Sequence, residues 1–417
     1  MRILLTFALL LTTTSATSTP PEFTLNLSKP AASRWRGALS LIAKQHPWAS
    51  TWAPIFTEHN ATLFNALSAD DFVALGSALD THFPEQAEEL RGIAASFKDE
   101  LGAEVSYEYL AAWVYYHELA HSDVAMRLPE GKKDHTKHYG RECTGVIAQT
   151  DSGDVLHIAN MDQSPEAVRN VTLSVKFTRG TGGSPLVHAV DWYWFTTGLS
   201  RAVAPGLASM QENWRTTETR PLAAVLSDVA RGVVPQIFVF RRSLLGPWPG
   251  QLESPPKSFE ALVTEMMSVP LAAPYYVVMA GVHAGEGVVI ARNLSGVDGV
   301  SRLPTASDVG GEWFLAQTNY DRWLPDPLSD PRRSTAEKMM RQFGPPLGAT
   351  QVGLSMVASA WPVHNPHTAY TAFMQAAAGL LLPFVRDAMC PEHPEQLTHD
   401  SRYCQSTRHA AVGPTVL

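Results

Sequence analysis

The sequence predicts an α+β fold in which a mostly helical N-terminal part precedes a β-rich remainder with further helices between its strands. Three observations predict it: a helical apolar period before Ala120, a polar stretch from Met126 to Glu142 with no sustained period, and a change to short apolar runs and tight turns directly after Cys143. The 417 residues are 45% hydrophobic and 17% charged, enough apolar material for one large domain or two modest ones.

In chain order, Arg2, the apolar run Ile3 to Leu11 and the small polar residues up to Ala16 have the layout of a secretory signal peptide over residues 1–16. The run is about half of the roughly 20 residues that a membrane-spanning helix needs. From Ala31 to about Ala120 the pattern is helical; Leu90, Ile93, Ala94, Phe97 and Leu101 fall at i, i+3, i+4, i+7 and i+11 and form a stripe on one helix face. The stretch after Met126 carries Arg127, Glu130, Lys132, Lys133, Asp134 and Lys137, and is expected to be an exposed, cleavable linker. Val146 to Ala148 and Val155 to Ile158 are then two strands joined by the turn residues Asp151-Ser152-Gly153-Asp154. Alternation at Val171, Leu173, Val175 and Phe177 marks a strand with one buried face, and Tyr275 to Ala280, Gly287 to Ala291 and Trp313 to Thr318 are further strands. Helices are expected around Pro221 to Arg231 and Ser258 to Val269.

A net charge of −8 and a sequence pI near 6.0 provide no broad basic field for phosphates, which argues against nucleic-acid binding. Four Asn-x-Ser/Thr sequons, at Asn26, Asn60, Asn170 and Asn293, become glycan acceptors if the chain is exported. Of the three cysteines, Cys390 and Cys404 lie close together and form the expected disulfide, which leaves Cys143 as a thiol. The plain alternative for Cys143 is a buried core cysteine.

His117-Glu118-Leu119-Ala120-His121 matches the HExxH zinc motif, but no later His or Glu stands out as a third ligand. The fifteen histidines read better as surface residues or pH-sensitive contacts than as ligands, so no metal and no cofactor is expected. A G-x-S-x-G elbow, a Walker A loop, a G-x-G-x-x-G turn and a two-cysteine zinc motif are all absent. Cys143 is distinguished by position: it stands between the charged linker and a strand, and the return strand of the hairpin carries Asn160-Met161-Asp162. If the chain were cut before Cys143, its new amine could act as general base for its own thiol, with Asp162 alongside and an asparagine holding the oxyanion.

These residues carry a family resemblance. Cys143-Thr144-Gly145-Val146-Ile147-Ala148, His157 to Asp162, Pro205-Gly206-Leu207, Glu286-Gly287-Val288-Val289-Ile290, Gln317-Thr318-Asn319-Tyr320-Asp321-Arg322-Trp323 and Arg332-Arg333 resemble segments of the acid ceramidase and N-acylethanolamine-hydrolysing acid amidase family, in the same order. The resemblance runs from Phe23-Thr24-Leu25-Asn26-Leu27 to Tyr370-Thr371 and is firmest after Cys143. It implies an N-terminal-nucleophile hydrolase with a four-layer αββα core, made as a zymogen, cut autocatalytically between Glu142 and Cys143 in an acidic lysosome, and kept as an α/β heterodimer. The implied α segment is 17–142 and the catalytic β segment 143–417. Lipid amides are the implied substrates, with transient contact to a membrane surface, and the enzyme would be lysosomal or secreted. In this pattern Cys143 is nucleophile, Asp162 positions its amine and thiol, Asn319 contributes to the oxyanion site and Arg332 supports it. Trp192, Asn213 and Tyr320 are the expected substrate contacts.

Two departures stand out. The family has arginine before the hairpin's asparagine where this chain has Ala159, and a glutamate in the Asn-Glu-Arg motif where this chain reads Asn213-Trp214-Arg215. A guanidinium beside a thiol lowers its pKa, and alanine cannot. These losses define an alternative, a weakened or inactive lipid-binding relative. The short segment after Asp162 resembles the ethanolamide hydrolases, whereas Asn160-Met161-Asp162 and the 317–323 string look more like acid ceramidase, so the choice of substrate stays open.

Overall fold

The computed structural model describes residues 18–124, 143–180, 182–195, 198–215, 219–246, 258–305 and 311–387. The signal-like segment 1–16, the linker with Glu142, and Cys390 and Cys404 lie outside the described residues.

The N-terminal part is helical where its period predicts. Its main helices are α1 (Ala53–Thr62), α2 (Ala69–His82), α3 (Pro84–Leu101), α4 (Tyr107–Val114) and α5 (Tyr116–Ala120). Helix α2 starts at a capping box between Ser68 and Asp71, and α3 starts on Pro84 and ends where Gly102 adopts φ 63°, which no side chain obstructs. The stripe foreseen on α3 is real: Leu90, Ile93 and Phe97 are fully buried, with Ala94 and Leu101 packed at the edge of the core.

Thirteen strands are seen among the described residues: β1 (Glu22–Asn26), β2 (Thr144–Gln149), β3 (Val155–Asp162), β4 (Thr172–Thr178), β5 (Val187–Trp192), β6 (Arg201–Ala204), β7 (Ala208–Trp214), β8 (Tyr275–Ala280), β9 (Gly287–Arg292), β10 (Val297–Arg302), β11 (Phe314–Gln317), β12 (Thr368–Gln375) and β13 (Leu380–Val385). One sheet has the order β11-β2-β3-β12-β13 and is antiparallel throughout. The other has the order β1-β4-β5-β6-β7-β8-β9-β10, antiparallel except that β1 lies parallel to β4. Through β1, the chain before the linker shares a sheet with the chain after Cys143.

The two sheets stack face to face. Ile147, Val155 and Leu315 of the first meet Val278, Ala280 and Val289 of the second in one apolar cluster. Outside the first sheet, Val146, Ala148, Leu156, Ile158 and Phe373 pack on Ala336 and Met340 of α9 (Arg332–Gly348) and Leu354 and Val357 of α10 (Gln351–Ser359); the helices between are α6 (Leu222–Ala230), α7 (Gln236–Leu245) and α8 (Phe259–Ser268). Outside the second sheet, those three and the N-terminal helices join one large core, for example where Trp35 meets Phe177 and Phe83 meets Phe238. The result is helix, sheet, sheet, helix. The expected αββα layering is thus present, with helices packed on the outer face of each sheet.

The hairpin β2–β3, β4, β8, β9, β11, α6 and α8 all coincide with sequence expectations. The apolar and polar residues of β7 and β12 are buried alike, so no alternation marks them. No described helix is long and apolar enough to cross a membrane.

Candidate active site

Cys143 precedes β2 and lies between the sheets, 2% exposed. It is the one described non-glycine residue with positive φ, 81°, a conformation that costs on the order of 1–3 kcal/mol and needs surroundings that impose it. Those surroundings combine the apolar core with one charged group. The sulfur lies 3.6 Å from Met161 Sδ, and Arg201 Nη2 donates to it from β6 in the opposite sheet.

The Cys143 carbonyl is held separately. Arg332, the first residue of α9, donates from Nη1 to Cys143 O (2.9 Å) and to Asp162 Oδ2 (3.1 Å), and from Nη2 to Asn319 Oδ1 (2.8 Å). Asp330 fixes the guanidinium by accepting from Nε at 2.7 Å and from Nη2 at 2.8 Å. Asp162 also accepts from Thr368 Oγ1 (2.6 Å) and Asn365 Nδ2 (2.9 Å). Burial pushes its carboxyl above the usual range, against the pull of Arg332, Thr368 and Asn365. The four expected catalytic residues, Cys143, Asp162, Asn319 and Arg332, are thereby brought into one buried cluster with Arg332 as its hub.

Asn319 gives one N–H to Trp214 O (2.9 Å), and its second N–H is engaged by no described residue. The turn that carries it is anchored at several points. Asn213 Nδ2 donates to the carbonyls of Gln317 (3.1 Å) and Thr318 (3.2 Å). Asp321 accepts from Arg215 Nε at 2.8 Å and from the Tyr276 hydroxyl at 2.7 Å, while Arg333 donates to Tyr320 O and Asp321 O. Asn213 is fully buried and is engaged by protein on both ends of its amide, since Gln211 Nε2 donates to its Oδ1; Trp192 is buried beside Trp194 and Phe195, and Tyr320 is half-buried next to Asn319.

Ala159 and Trp214 occupy the two departures. Ala159 lies opposite Gly145 on one side and Ala372 on the other, a row of small residues across three strands. Trp214 stacks on His121 with ring centroids 3.7 Å apart, while Glu212, two residues earlier, is buried with its carboxyl 3.4 Å from His117 Nδ1. Burial raises Glu212 to about 7 and Asp191 to about 6.

The structure bears on two of the sequence readings of the histidines. The HExxH string does not build a metal site: α5 ends at Ala120, His117 Nε2 is bonded to Pro274 O at 3.1 Å, His121 is stacked on Trp214, and no metal-holding group of three His, Cys, Asp or Glu exists among the described residues. Among the described residues His59, His117, His121, His157, His188 and His364 are buried, so for these the surface reading does not hold and that of a pH-sensitive contact remains. Helix and strand faces that point inward carry them, held by backbone carbonyls, serines and glutamine; His157, for example, bridges the sheets to Ser209 and Gln211. The sequons at Asn26, Asn60 and Asn293 are partly exposed and Asn170 is exposed.

Arg201, Asp330, Asn365 and Thr368 were not legible as site residues. For Arg201 a signal existed, a lone charge in the apolar run Ala202-Val203-Ala204, which implies a buried partner. Asn365 and Thr368 carry no such mark.

No protein-family model matches the chain. Among curated proteins it is similar to the N-acylethanolamine-hydrolyzing acid amidase of Oryctolagus cuniculus, 30% identical over 246 residues that cover 58% of this chain and 63% of that protein. The amidase of the same description from Caenorhabditis elegans is 25% identical over 357 residues, 85% of this chain and 89% of its own length. Acid ceramidase of Mus musculus is 26% identical over 270 residues, 60% of this chain and 63% of that protein. The chain spans 60–63% of the length of the mammalian amidases it matches.

Proposed function

Because this chain belongs to the family of N-acylethanolamine-hydrolysing acid amidases and acid ceramidases, we propose that it is an amide hydrolase of N-acyl lipids with Cys143 as its nucleophile. The observation that carries the reading is Cys143 itself: a buried thiol at the start of a central strand, in a strained backbone conformation, with its sulfur against one guanidinium and its carbonyl against another.

The chemistry runs in two stages. First the Cys143 sulfur attacks the carbonyl of the preceding residue, the peptide nitrogen leaves as the new Cys143 amine, and water releases the thioester. The positive φ of Cys143 is relieved in this step. The cut separates an α segment, 17–142, from a β segment, 143–417, which stay joined through β1 and the shared helical core. In the second stage the amine takes the thiol proton and the sulfur attacks the fatty amide. The oxyanion is met by the spare N–H of Asn319, and the protonated leaving group departs as ethanolamine or a long-chain base. Water then hydrolyses the acyl thioester to the fatty acid. Arg332, paired with Asp162, holds the Cys143 carbonyl in place throughout. Trp192 and Tyr320 are placed here as lipid contacts, and export through a signal peptide to an acidic compartment as the setting.

The test is to secrete the protein, acidify it, sequence its N-termini and measure fatty acid released from an N-acylethanolamine and from a ceramide. A new terminus at Cys143, absent in Cys143→Ala, with fatty acid release from one substrate is the expected result. A chain that stays whole under acid and releases nothing points instead to the lipid-binding relative and ends the amidase reading.

A further inference from the structure

Arg201 is fully buried, yet no carboxylate among the described residues pairs with it at ion-pair distance. Its Nη1 donates to Ser200 Oγ at 3.0 Å, Ser200 in turn donates to Asp191, the Nε has no described partner, and the guanidinium carbon sits 5.9 Å from the ring centre of Tyr370. Nη2 is given to Cys143 Sγ. A buried cation without an anion costs several kcal/mol. Neither nearby carboxyl supplies one in acid: Glu212 and Asp191 are driven by burial toward the protonated form, with values of about 7 and about 6. The sulfur of Cys143 is the group in contact that can become an anion.

The opposite sheet leaves room for this approach. Strand periodicity puts Ala159 on the same face as His157 and Met161, whose side chains reach Gln211 and Cys143 between the sheets. Ala159 lies in register with Gly145 and Ala372, and a Cβ on Gly145 would come within 2.4 Å of Gln211 Oε1, the residue paired with Arg201 across β6 and β7. A long side chain at 159 would therefore enter the space that the β6 guanidinium now fills.

We propose that Arg201 is a catalytic residue of this site: it crosses from the opposite sheet to hold the Cys143 sulfur as a thiolate, in place of a cation at position 159. The thiol proton passes to bulk water, or to the Cys143 amine once that exists. Arg201 itself stays charged and exchanges no proton. This rests on Cys143 being the nucleophile, but it concerns the ionisation of the thiol and can be read without turnover.

The measurement is the pH titration of the ultraviolet thiolate absorbance, taken as the difference between each protein and its Cys143→Ala counterpart. Arg201→Gln, Arg201→Met and the double change Ala159→Arg with Arg201→Gln are compared with the parent, each checked for folding by thermal melting. Loss of an adjacent positive charge should move the thiol midpoint up by about 1 unit or more, roughly a tenfold loss of thiolate at a given acidic pH. The double change should restore part of that shift. The apolar Met variant guards against misfolding of the Gln variant, since apolar replacement of a buried charge is often tolerated. Two outcomes overturn the proposal: a parent thiol that titrates at the ordinary value of about 8.5, or a folded Arg201 variant whose midpoint equals the parent's. A depressed midpoint without any amidase activity would instead keep this assignment and sink the proposed function.

Discussion

Arg332 Nη1 lies 3.1 Å from Asp162 Oδ2, with both side chains 3% exposed or less, and the same nitrogen is 2.9 Å from the Cys143 carbonyl. One ion pair therefore ties the end of β3, the start of α9 and the residue that precedes β2. Removing one member of a buried pair leaves the other uncompensated, at a cost of about 3–5 kcal/mol. Asp162→Ala is expected to lose stability in that range by urea denaturation and to stop cleavage before Cys143. Asp162→Asn, which keeps the shape, should lose less stability and still fail to cleave. Normal cleavage in Asp162→Asn would show that the carboxylate is structural only.

Gly145 is a point of close approach between the sheets at the site. A Cβ there would fall within 2.4 Å of Gln211 Oε1, and Gln211 is already bonded to His157 and Asn213, so it cannot swing away without breaking both. Gly145→Ala should cost about 1–3 kcal/mol, as overpacking of a close-packed core does, and should slow cleavage by displacing β2. A melting temperature equal to the parent's would mean that the sheets separate easily here.

The buried histidines set a pH dependence of stability. His59, His117, His157 and His188 are pushed down by burial to about 4, and His364 to about 3, from 6.5. A group with a depressed folded pKa of this kind stays neutral in the fold while the unfolded chain takes up a proton, so stability falls as pH drops from 6.5 through about 4. Glu118 and Glu212, raised by burial to about 7 from 4.5, act in the other sense: their stabilisation is present below 4.5 and is lost as pH rises through about 7. The two gradients nearly offset close to neutrality, and the more numerous histidines win in acid. Thermal melting of Cys143→Ala, which stays one species, should be almost level just above neutrality and decline steadily below about pH 6. A melting temperature that climbs on acidification would contradict this.

Glu89 joins the N-terminal helices to α7. Its fully buried carboxylate accepts from Arg241 (2.6 Å), Arg34 (2.8 Å) and Trp35 Nε1 (2.9 Å). Glu89→Ala leaves two buried cations facing each other and should cost about 3–5 kcal/mol. If the chain is cut before Cys143, the two fragments of this variant should separate on gel filtration under conditions in which the parent's stay together. Co-elution at parental stability would show that apolar packing alone holds them.

Where the signal is local, the sequence was readable. The hairpin β2–β3 followed from two apolar runs around Asp151-Ser152-Gly153-Asp154, and Gly153 does adopt φ 90° there. The stripe of α3 followed from helical period. By contrast, β3 is buried along its whole length because it lies between two other strands and under α10, so its polar His157, Asn160 and Asp162 look exposed in the sequence and are not. The HExxH string shows the converse: its spacing suits a metal on one helix face, but the helix stops before the second histidine and an aromatic stack claims it.

By itself the sequence located the helical N-terminal part, the hairpin β2–β3, several further strands and Cys143 at the junction, because each rests on neighbours within a few residues; the set Cys143, Asp162, Asn319 and Arg332 it offered only through the resemblance of short strings. Only the tertiary structure decided what surrounds that set. Asn365 and Thr368 reach Asp162 across 203 and 206 positions of chain, and Arg201 reaches Cys143 across 58. Such contacts arise from how two sheets stack and which small residues let them approach. Periodicity records which face of a strand is buried, but not what it is buried against.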